Sequence, residues 1–148
     1  MSRVKSAIQI RKPVEEVFAY VTTPESWLHW HPSSVSIKGD TDHSLNVGEH
    51  VKEEFVVAGR TGSVTWTVID REVPKRWVIS GCVEGAGSGD IAYSLAPNNN
   101  GTSFERRFTY RMENWALSLL DWLLIRRRIQ AESTEALRRL KRILEEDI

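Results

Sequence analysis

The sequence predicts an α+β fold in which a curved antiparallel sheet of seven strands surrounds one long C-terminal helix. Residues 114–146 contain neither proline nor glycine, and they begin at Asn114, a favourable helix N-cap. Residues 35–112 instead divide into short alternating apolar segments joined by turns rich in Gly, Pro and Asn, which is typical of antiparallel strands. A helix of this length needs an apolar partner, and one face of the sheet is the only large candidate.

The first part of the chain predicts one strand followed by two short helices. Residues 4–10 alternate weakly and indicate the strand. Pro13 suits the start of a helix, and Glu15 and Glu16 follow in its first turn, where negative charge is favourable. Pro24 disfavours a helical conformation at the residue before it, so the first helix should end there and a second short one should begin. We expect these two helices to plug one end of the curved sheet.

Six further strands are predicted after the short helices, in a meander with short turns. They cover residues 35–38, 49–58, 63–72, 77–84, 90–96 and 102–112. Residues 59–62, 74–75, 85–89 and 98–101 supply the main turn signals between them. The glycines of residues 85–89 precede a strand rather than a helix, so they do not fit a dinucleotide-binding loop. A flexible hairpin at a cavity rim is the better interpretation.

The C-terminal helix carries an apolar stripe that should face the sheet. The stripe recurs at spacings of three and four residues and comprises Trp115, Leu119, Trp122, Ile129, Ala136, Leu140 and Ile143, with Arg126 and Ser133 in its two gaps. Its first part holds surplus apolar residues off the stripe, namely Leu117, Leu120, Leu123, Leu124 and Ile125. This surplus, with Arg126, Arg127 and Arg128 beside it, predicts a lid over a cavity entrance, a homodimer contact or a peripheral membrane contact between Trp115 and Arg128.

Length and composition limit the classes of protein. The 148 residues fit one domain, residues 1–148, and 20 basic against 20 acidic residues do not favour a nucleic-acid partner. Cys82 is the only cysteine, so no internal disulfide forms and a reducing compartment fits. The N-terminal residues do not form a signal peptide pattern, and the most apolar window, residues 115–125, is too short to span a bilayer. We therefore expect a cytoplasmic protein.

Two stretches resemble a known superfamily. The opening IQIRKPVEEVFAYVTTPESWLHWHP and the closing RRRIQAESTEALRRLKRILEE resemble the START-like (SRPBCC) superfamily, also called polyketide cyclase/dehydrase and lipid transport. The resemblance covers nearly the whole chain and implies a helix-grip fold with a deep cavity between sheet and long helix. It implies binding or transport of a hydrophobic small molecule, such as a lipid, polyketide or isoprenoid. The alternative is a polyketide cyclase or dehydratase. The superfamily has no universal catalytic motif, so it assigns no catalytic residue, and we expect no cofactor.

Strand alternation predicts which side chains face that cavity. Together with the helix stripe it selects Glu53, Phe55, Trp66, Ile79, Tyr93, Arg106, Phe108, Tyr110, Trp115, Leu119 and Trp122. Glu53 and Arg106 are charges on otherwise apolar faces. Three interpretations are open: the two side chains pair with each other, they contact a polar group of a ligand, or a bulge shifts the phase of their strands so that they do not face the cavity. For the enzyme alternative, Glu53 is the candidate base and Tyr93 or Tyr110 the candidate acid.

No metal site is predicted. His29 and His31 flank Trp30, but the pair lies at a helix end before Pro32 and no third ligand is spaced nearby. The WHP sequence resembles the turn that follows the short helices in the superfamily, which explains these residues structurally.

Overall fold

The computed structural model describes residues 2–57, 59–83 and 85–146, and it has the helix-grip architecture that the sequence predicts. The N-terminal elements are β1 (Ser2–Ile10), α1 (Val14–Val21), a 3₁₀ turn (Pro24–Ser26) and α2 (Trp27–Trp30). The meander follows as β2 (Ser34–Gly39), β3 (His50–Val57), β4 (Arg60–Glu72), β5 (Arg76–Val83), β6 (Gly87–Asn98) and β7 (Gly101–Met112). The C-terminal helix consists of α3 (Trp115–Leu120), a π-helical turn (Asp121–Ile125) and α4 (Arg126–Glu146).

The seven strands form one antiparallel sheet in the order β1-β7-β6-β5-β4-β3-β2. Strands β2 to β6 each pair with the next strand in sequence, which is typical of an antiparallel meander. Strand β1 pairs with β7, with Val4 opposite Phe108 and Ile8 opposite Phe104. Helix α4 packs along β1, where Lys141 Nζ donates to the Gln9 carbonyl at 2.6 Å. The predicted seven-stranded antiparallel sheet is confirmed.

Two predicted turns are shorter in the structure than the sequence suggested. Strand β4 already begins at Arg60 and β6 at Gly87, so Gly62, Gly87 and Gly89 lie inside strands, while Gly59 and Gly85 remain in the turns. Gly62 pairs with Phe55, and Gly89 pairs with Tyr110. Glycine is a poor strand former, which explains why the sequence signal indicated turns instead. Residues 58 and 84, the predicted last residues of two strands, lie outside the described residues.

One end of the concave face of the sheet, here called the packed end, is filled by aromatic side chains. Trp27 and Trp30 of α2 are essentially fully buried there, as are Trp77, Tyr93 and Phe104 from the sheet. The ring centroids of Trp77 and Tyr93 are 5.3 Å apart, and those of Tyr93 and Phe104 are 5.1 Å apart. The buried indoles of Trp27 and Trp77 donate to backbone carbonyls at 3.0 and 3.1 Å. Helices α1 and α2 therefore close this end with a dense core.

The second part of the C-terminal helix belongs to the same core. Helix α4 buries one narrow face, which comprises Ser133, Ala136, Leu137, Leu140 and Leu144. At the other end of the helix, Asn114 Oδ1 accepts a hydrogen bond from the Leu117 amide at 2.8 Å, which confirms the predicted N-cap. No helix within the described residues combines the length and the apolar character needed to cross a membrane.

The predicted stripe is wrong in the first part of this helix, residues 115–125, here called the front segment. Trp115, Leu119 and Trp122 point to solvent, with 80%, 51% and 69% of their surface exposed. The buried residues of the π-helical turn are instead Asp121 and Ile125. Apolar periodicity does not predict this orientation, because Asp121 determines it. Its carboxylate is buried where it has polar partners inside the fold.

Candidate functional site

The open end of the concave face forms a cavity of about 750 Å³ between the sheet and the C-terminal helix. Eight residues predicted from strand alternation line it: Glu53, Phe55, Trp66, Ile79, Tyr93, Arg106, Phe108 and Tyr110. Trp115, Leu119 and Trp122 do not, because the front segment turns them outward. The helix contributes Leu117, Ile125, Ile129, Glu132, Ser133 and Ala136 instead.

Glycines at inward positions explain why this end is hollow. Gly62, Gly81 and Gly89 occupy inward positions of β4, β5 and β6, where the packed end carries large side chains. Side chains of neighbouring residues lie over the backbone of these glycines. A Cβ atom at Gly62 would be 2.8 Å from the Phe55 ring, and one at Gly89 would be 2.8 Å from the Phe108 ring. The rings therefore lie along the wall of the cavity.

Glu53 lies at the inner part of the cavity and is only 7% exposed. Trp66 Nε1 donates to its Oε1 at 2.9 Å, and the Ser34 hydroxyl donates to Oε2. His31 Nδ1 is 3.8 Å from Oε2. No ion pair within 4.0 Å joins Glu53 to Arg106 among the described residues, so the first of the three sequence alternatives is wrong. The strand phase that placed both charges on the concave side is correct.

The environment sets the protonation of this buried pair. Burial alone would raise the pKa of Glu53, but the neighbouring His31 and the hydrogen bonds from Ser34 and Trp66 together hold it below its usual value. Burial lowers the pKa of His31 more strongly than Glu53 raises it, and Arg106 adds to the lowering. Glu53 is therefore an anion and His31 a neutral imidazole at neutral pH. Ser34 Oγ, whose own hydrogen goes to Glu53, accepts from His31 Nδ1 at 3.4 Å, so His31 presents Nε2 as an acceptor.

Arg106 and Tyr93 line the same cavity and carry buried polar atoms without partners. Arg106 donates from one terminal nitrogen to Ser133 Oγ at 3.2 Å, while its buried Nε has no hydrogen-bond partner. The Tyr93 hydroxyl is also buried without a partner of normal hydrogen-bond geometry, although it lies within the electrostatic reach of Arg106. Burial raises the pKa of Tyr93 more than Arg106 lowers it, so the phenol stays protonated. His31 Nε2 is the third such atom around the cavity.

Tyr110 anchors the front segment. Its hydroxyl donates to Asp121 Oδ1 at 2.6 Å, and the Ser2 hydroxyl donates to Oδ2. Burial and the Asp121 carboxylate raise the pKa of Tyr110. Because its proton is already engaged by Asp121, Tyr110 is poorly placed to serve as the acid proposed from the sequence. Glu53 is similarly occupied, because protein donors contact both of its oxygens.

The two histidines of the HWH sequence differ in burial. His31 is buried between Trp27 and Trp30, with ring centroids 5.3 and 4.0 Å away, whereas His29 is exposed. They cannot share a ligand. Across residues 2–57, 59–83 and 85–146, no group of three or more His, Cys, Asp or Glu side chains is placed to hold a metal ion.

This fold and cavity agree with a whole-chain family match. The family model described as polyketide cyclase / dehydrase and lipid transport matches residues 1–145. The chain belongs to this family. A search of the curated proteins found no match.

Solved structures show the same fold at low sequence identity. The protein TTHA0849 from Thermus thermophilus superposes with a TM-score of 0.78 at 15% identity, with 99% of each chain covered. A protein from Rhodobacter sphaeroides superposes with a TM-score of 0.74 at 20% identity, and the match covers 99% of this chain and 94% of that protein. The di-domain ARO/CYC StfQ from the steffimycin biosynthetic pathway gives 0.77 at 14% identity, covering 98% of this chain and 51% of its own. At these identities the family fold is what the chains share.

The sequence reasoning missed His31 and Ser34 as members of this polar group. They follow α2 and meet Glu53 of β3 across the sheet edge. The signal was present: His31 and Trp30 end a helix that carries a second tryptophan, which indicates burial, and a buried histidine needs a polar partner. One inward glycine was a second overlooked signal, because Gly81 lies in the predicted strand 77–84 in phase with Trp77 and Ile79, whereas Gly62 and Gly89 fell in predicted turns.

Proposed function

We propose that this protein binds a hydrophobic small molecule that carries one oxygen-bearing polar group, in the cavity between the sheet and the C-terminal helix. A volume of about 750 Å³ is within the range of small-molecule sites. Its wall is largely aromatic and aliphatic, so burial of apolar ligand surface would supply most of the affinity. Family membership and the similarity to an ARO/CYC protein support a lipid-like or polyketide-like ligand.

The observation that carries this proposal is the set of unpaired polar atoms: Tyr93 Oη, Arg106 Nε and His31 Nε2. Each unsatisfied buried group costs about 1–3 kcal/mol, so a partner is expected. Tyr93 and Arg106 offer hydrogens, whereas neutral His31 offers a lone pair. A phenol, an enol or a protonated carboxyl both accepts and donates hydrogen bonds, so it matches this set. The rest of the ligand would extend towards Phe55, Phe108 and the glycines.

Ligand binding is tested by native mass spectrometry and by titration with fatty acids, isoprenoid quinols and aromatic polyketides that carry a phenol. We expect one molecule of at least one class to bind. Tyr93→Phe and Arg106→Met should each weaken that complex about tenfold, the equivalent of one lost hydrogen bond. Arg107→Met is the matched control, since Arg107 lies on the opposite face of the same strand and is exposed. Unchanged affinity in both cavity variants, or no binding of any class, would refute the proposal.

A second candidate function is proton transfer, as in a polyketide cyclase or dehydratase. The observation that favours it is the Glu53–Ser34–His31 group, in which Ser34 hydrogen-bonds both the ionised carboxylate and Nδ1 of a neutral imidazole whose Nε2 is unpaired. Such a histidine is a suitable general base, whereas Glu53 itself is occupied. The test is turnover of an aromatic poly-β-ketone bound by the wild type. His31→Gln should abolish turnover while retaining ligand binding, and equal rates in both proteins would exclude this mechanism.

A further inference from the structure

The outer face of the front segment is a continuous exposed apolar patch. The exposed fractions are 80% for Trp115, 69% for Trp122, 56% for Leu123, 51% for Leu119 and 46% for Leu124. Elsewhere in the described residues, large exposed apolar side chains are dispersed over separate elements: Leu28, Val35, Val47, Ile69 and Val73. Dispersed residues of that kind are normal on a protein surface, but five together mark an interaction site.

A basic cluster borders this patch. Arg126, Arg127 and Arg128 follow it directly, and all three are exposed. None of them forms an ion pair within 4.0 Å with a described residue. The sequence has no acidic residue between Asp121 and Glu132, and Asp121 is buried and bonded to Tyr110. Glu132 lies within the electrostatic reach of Arg128 without pairing with it. The surface therefore combines exposed apolar side chains with an excess of positive charge.

The packing of the front segment holds the patch outward. Asp121 is fixed by Tyr110 and Ser2, so residues 122–124 of the π-helical turn must face solvent. The inner side of the segment contributes Leu117 and Ile125 to the cavity wall. The front segment is thus apolar on both sides and separates the cavity from the surroundings. π-Helical turns of this kind are frequent at functional sites.

We propose that the outer face of residues 115–128 docks on a membrane surface that contains anionic lipids. A helix lying in the plane of the interface would insert the tryptophan and leucine side chains at the level of the headgroups. Arg126, Arg127 and Arg128 would contact the lipid phosphates. A second copy of the chain is a poorer occupant, because a twofold contact through this patch would bring six arginines together. This docking does not depend on which ligand the cavity takes.

Vesicle flotation tests the proposal, using vesicles of phosphatidylcholine with phosphatidylserine and vesicles of phosphatidylcholine alone. We expect the wild type to float with the anionic vesicles only, and less so as salt increases. Arg126→Gln, Arg127→Gln and Arg128→Gln combined should weaken binding on the order of 100-fold, since each of the three charges near an anionic surface contributes about a factor of five. Trp115→Ser combined with Trp122→Ser should also abolish flotation.

Matched controls separate docking from general charge and folding effects. Arg3→Gln, Arg76→Gln and Arg138→Gln combined remove three exposed arginines elsewhere and should float like the wild type. A blue shift of tryptophan fluorescence on binding should disappear in the double tryptophan variant, because the other four tryptophans are buried.

Three outcomes would overturn the proposal. The wild type could remain unbound to anionic vesicles, or the variant without Arg126, Arg127 and Arg128 could float as well as the wild type. The third outcome is a wild-type dimer in light scattering that Trp122→Ser dissociates and that does not float, which would identify a second copy as the occupant.

Discussion

The two ends of the concave face are built from the same strands and the same helix, yet one end is solid and the other hollow. At the packed end, β5 and β6 contribute Trp77 and Tyr93, whose rings pack together. At the open end the inward positions of these strands are Gly81 and Gly89. The strand pairing does not differ, since the register continues unbroken between β5 and β6. The packed end has larger inward side chains and is also covered by α1 and α2.

This division separates stability from binding within one small fold. The packed end holds the densely buried aromatic and aliphatic side chains that stabilise the protein. The open end holds the loosely covered wall formed by the front segment, and the unpaired polar atoms of Tyr93, Arg106 and His31 lie where the two ends meet. Substitutions at the open end should therefore change ligand affinity with little loss of stability. Substitutions at the packed end should lower stability with little effect on ligand affinity.

Truncating an aromatic residue at each end tests this division most strongly. Trp30 is fully buried in the core, so Trp30→Ala should lower the free energy of unfolding by about 3–5 kcal/mol. Phe55 is only partly buried and faces the cavity, so Phe55→Ala removes fewer packing contacts and should cost about 1 kcal/mol. Urea denaturation measures both. Equal losses would mean that the open end is as stabilising as the packed end.

Releasing the front segment should have the next largest effect. Asp121→Ala removes the acceptor that Tyr110 and Ser2 share and leaves both hydroxyls unpaired, at a cost of about 1–3 kcal/mol. Hydrogen exchange should accelerate in residues 115–125, while α4 stays protected.

Glu135→Gln is the control for this change. It breaks exposed ion pairs with Arg138 and Arg139 on α4 and should change stability by less than about 1 kcal/mol. Uniform acceleration along the whole helix in Asp121→Ala would show that its two parts unfold together.

The buried His31 should make stability depend on pH. Its pKa in the folded protein is lowered from 6.5, mainly by burial, so the unfolded chain takes up this proton first as the pH falls. The free energy of unfolding should therefore decrease below about pH 6.5, by at most about 1.4 kcal/mol per pH unit. Glu53, whose pKa is also lowered, adds a further loss only below its ordinary value of 4.5.

His31→Gln should remove the part of this dependence that begins near pH 6.5 and keep the part due to Glu53. His43→Asn provides a contrast. Hydrogen bonds to Asp42 and Glu49 raise the pKa of His43, so its small contribution to stability is lost as the pH rises. Denaturation midpoints between pH 4 and 8 measure both variants. An unchanged acid dependence in His31→Gln would assign it to other groups.

Filling the open end should have the smallest effect on stability and a clear effect on ligand size. Gly62→Ala adds a Cβ atom 2.8 Å from the Phe55 ring, which must move towards the cavity. We expect a stability change of about 1 kcal/mol and a reduced affinity for the largest ligands bound by the wild type. Ser94→Ala, on the outer face of β6, is the control. Equal affinities for large and small ligands in both variants would show that Gly62 does not limit the cavity.

The fold could be predicted from the sequence because the residues that begin its helices act locally. Pro13, Pro24 and Asn114 mark helix starts through backbone geometry and capping, which depend on nearby residues alone. The β7 alternation likewise places Phe104, Arg106 and Phe108 on one side without any tertiary knowledge. Architecture of this kind can be read from short windows of sequence.

The site was less predictable because its geometry depends on contacts between distant residues. The orientation of the front segment follows from Asp121 meeting Tyr110 and Ser2, one of which is 119 residues away. The apolar stripe through Trp115 was misleading, because apolar residues on an exposed helix face recur at the same spacing as apolar residues that pack into a core. The contact between His31 and Glu53 likewise requires knowledge of how α2 meets the sheet.

The placement of β1 also affects the order in which the protein can assemble during synthesis. Strands β2 to β7 can pair as they emerge, since each partner is the neighbour in sequence. Strand β1 must wait for β7, about a hundred residues later, and the concave face stays uncovered until α4 packs along β1. A nascent chain that ends before α4 therefore exposes the surface on which Trp77 and Phe104 lie. Such intermediates are prone to aggregate, and the final helix removes that hazard by closing the fold.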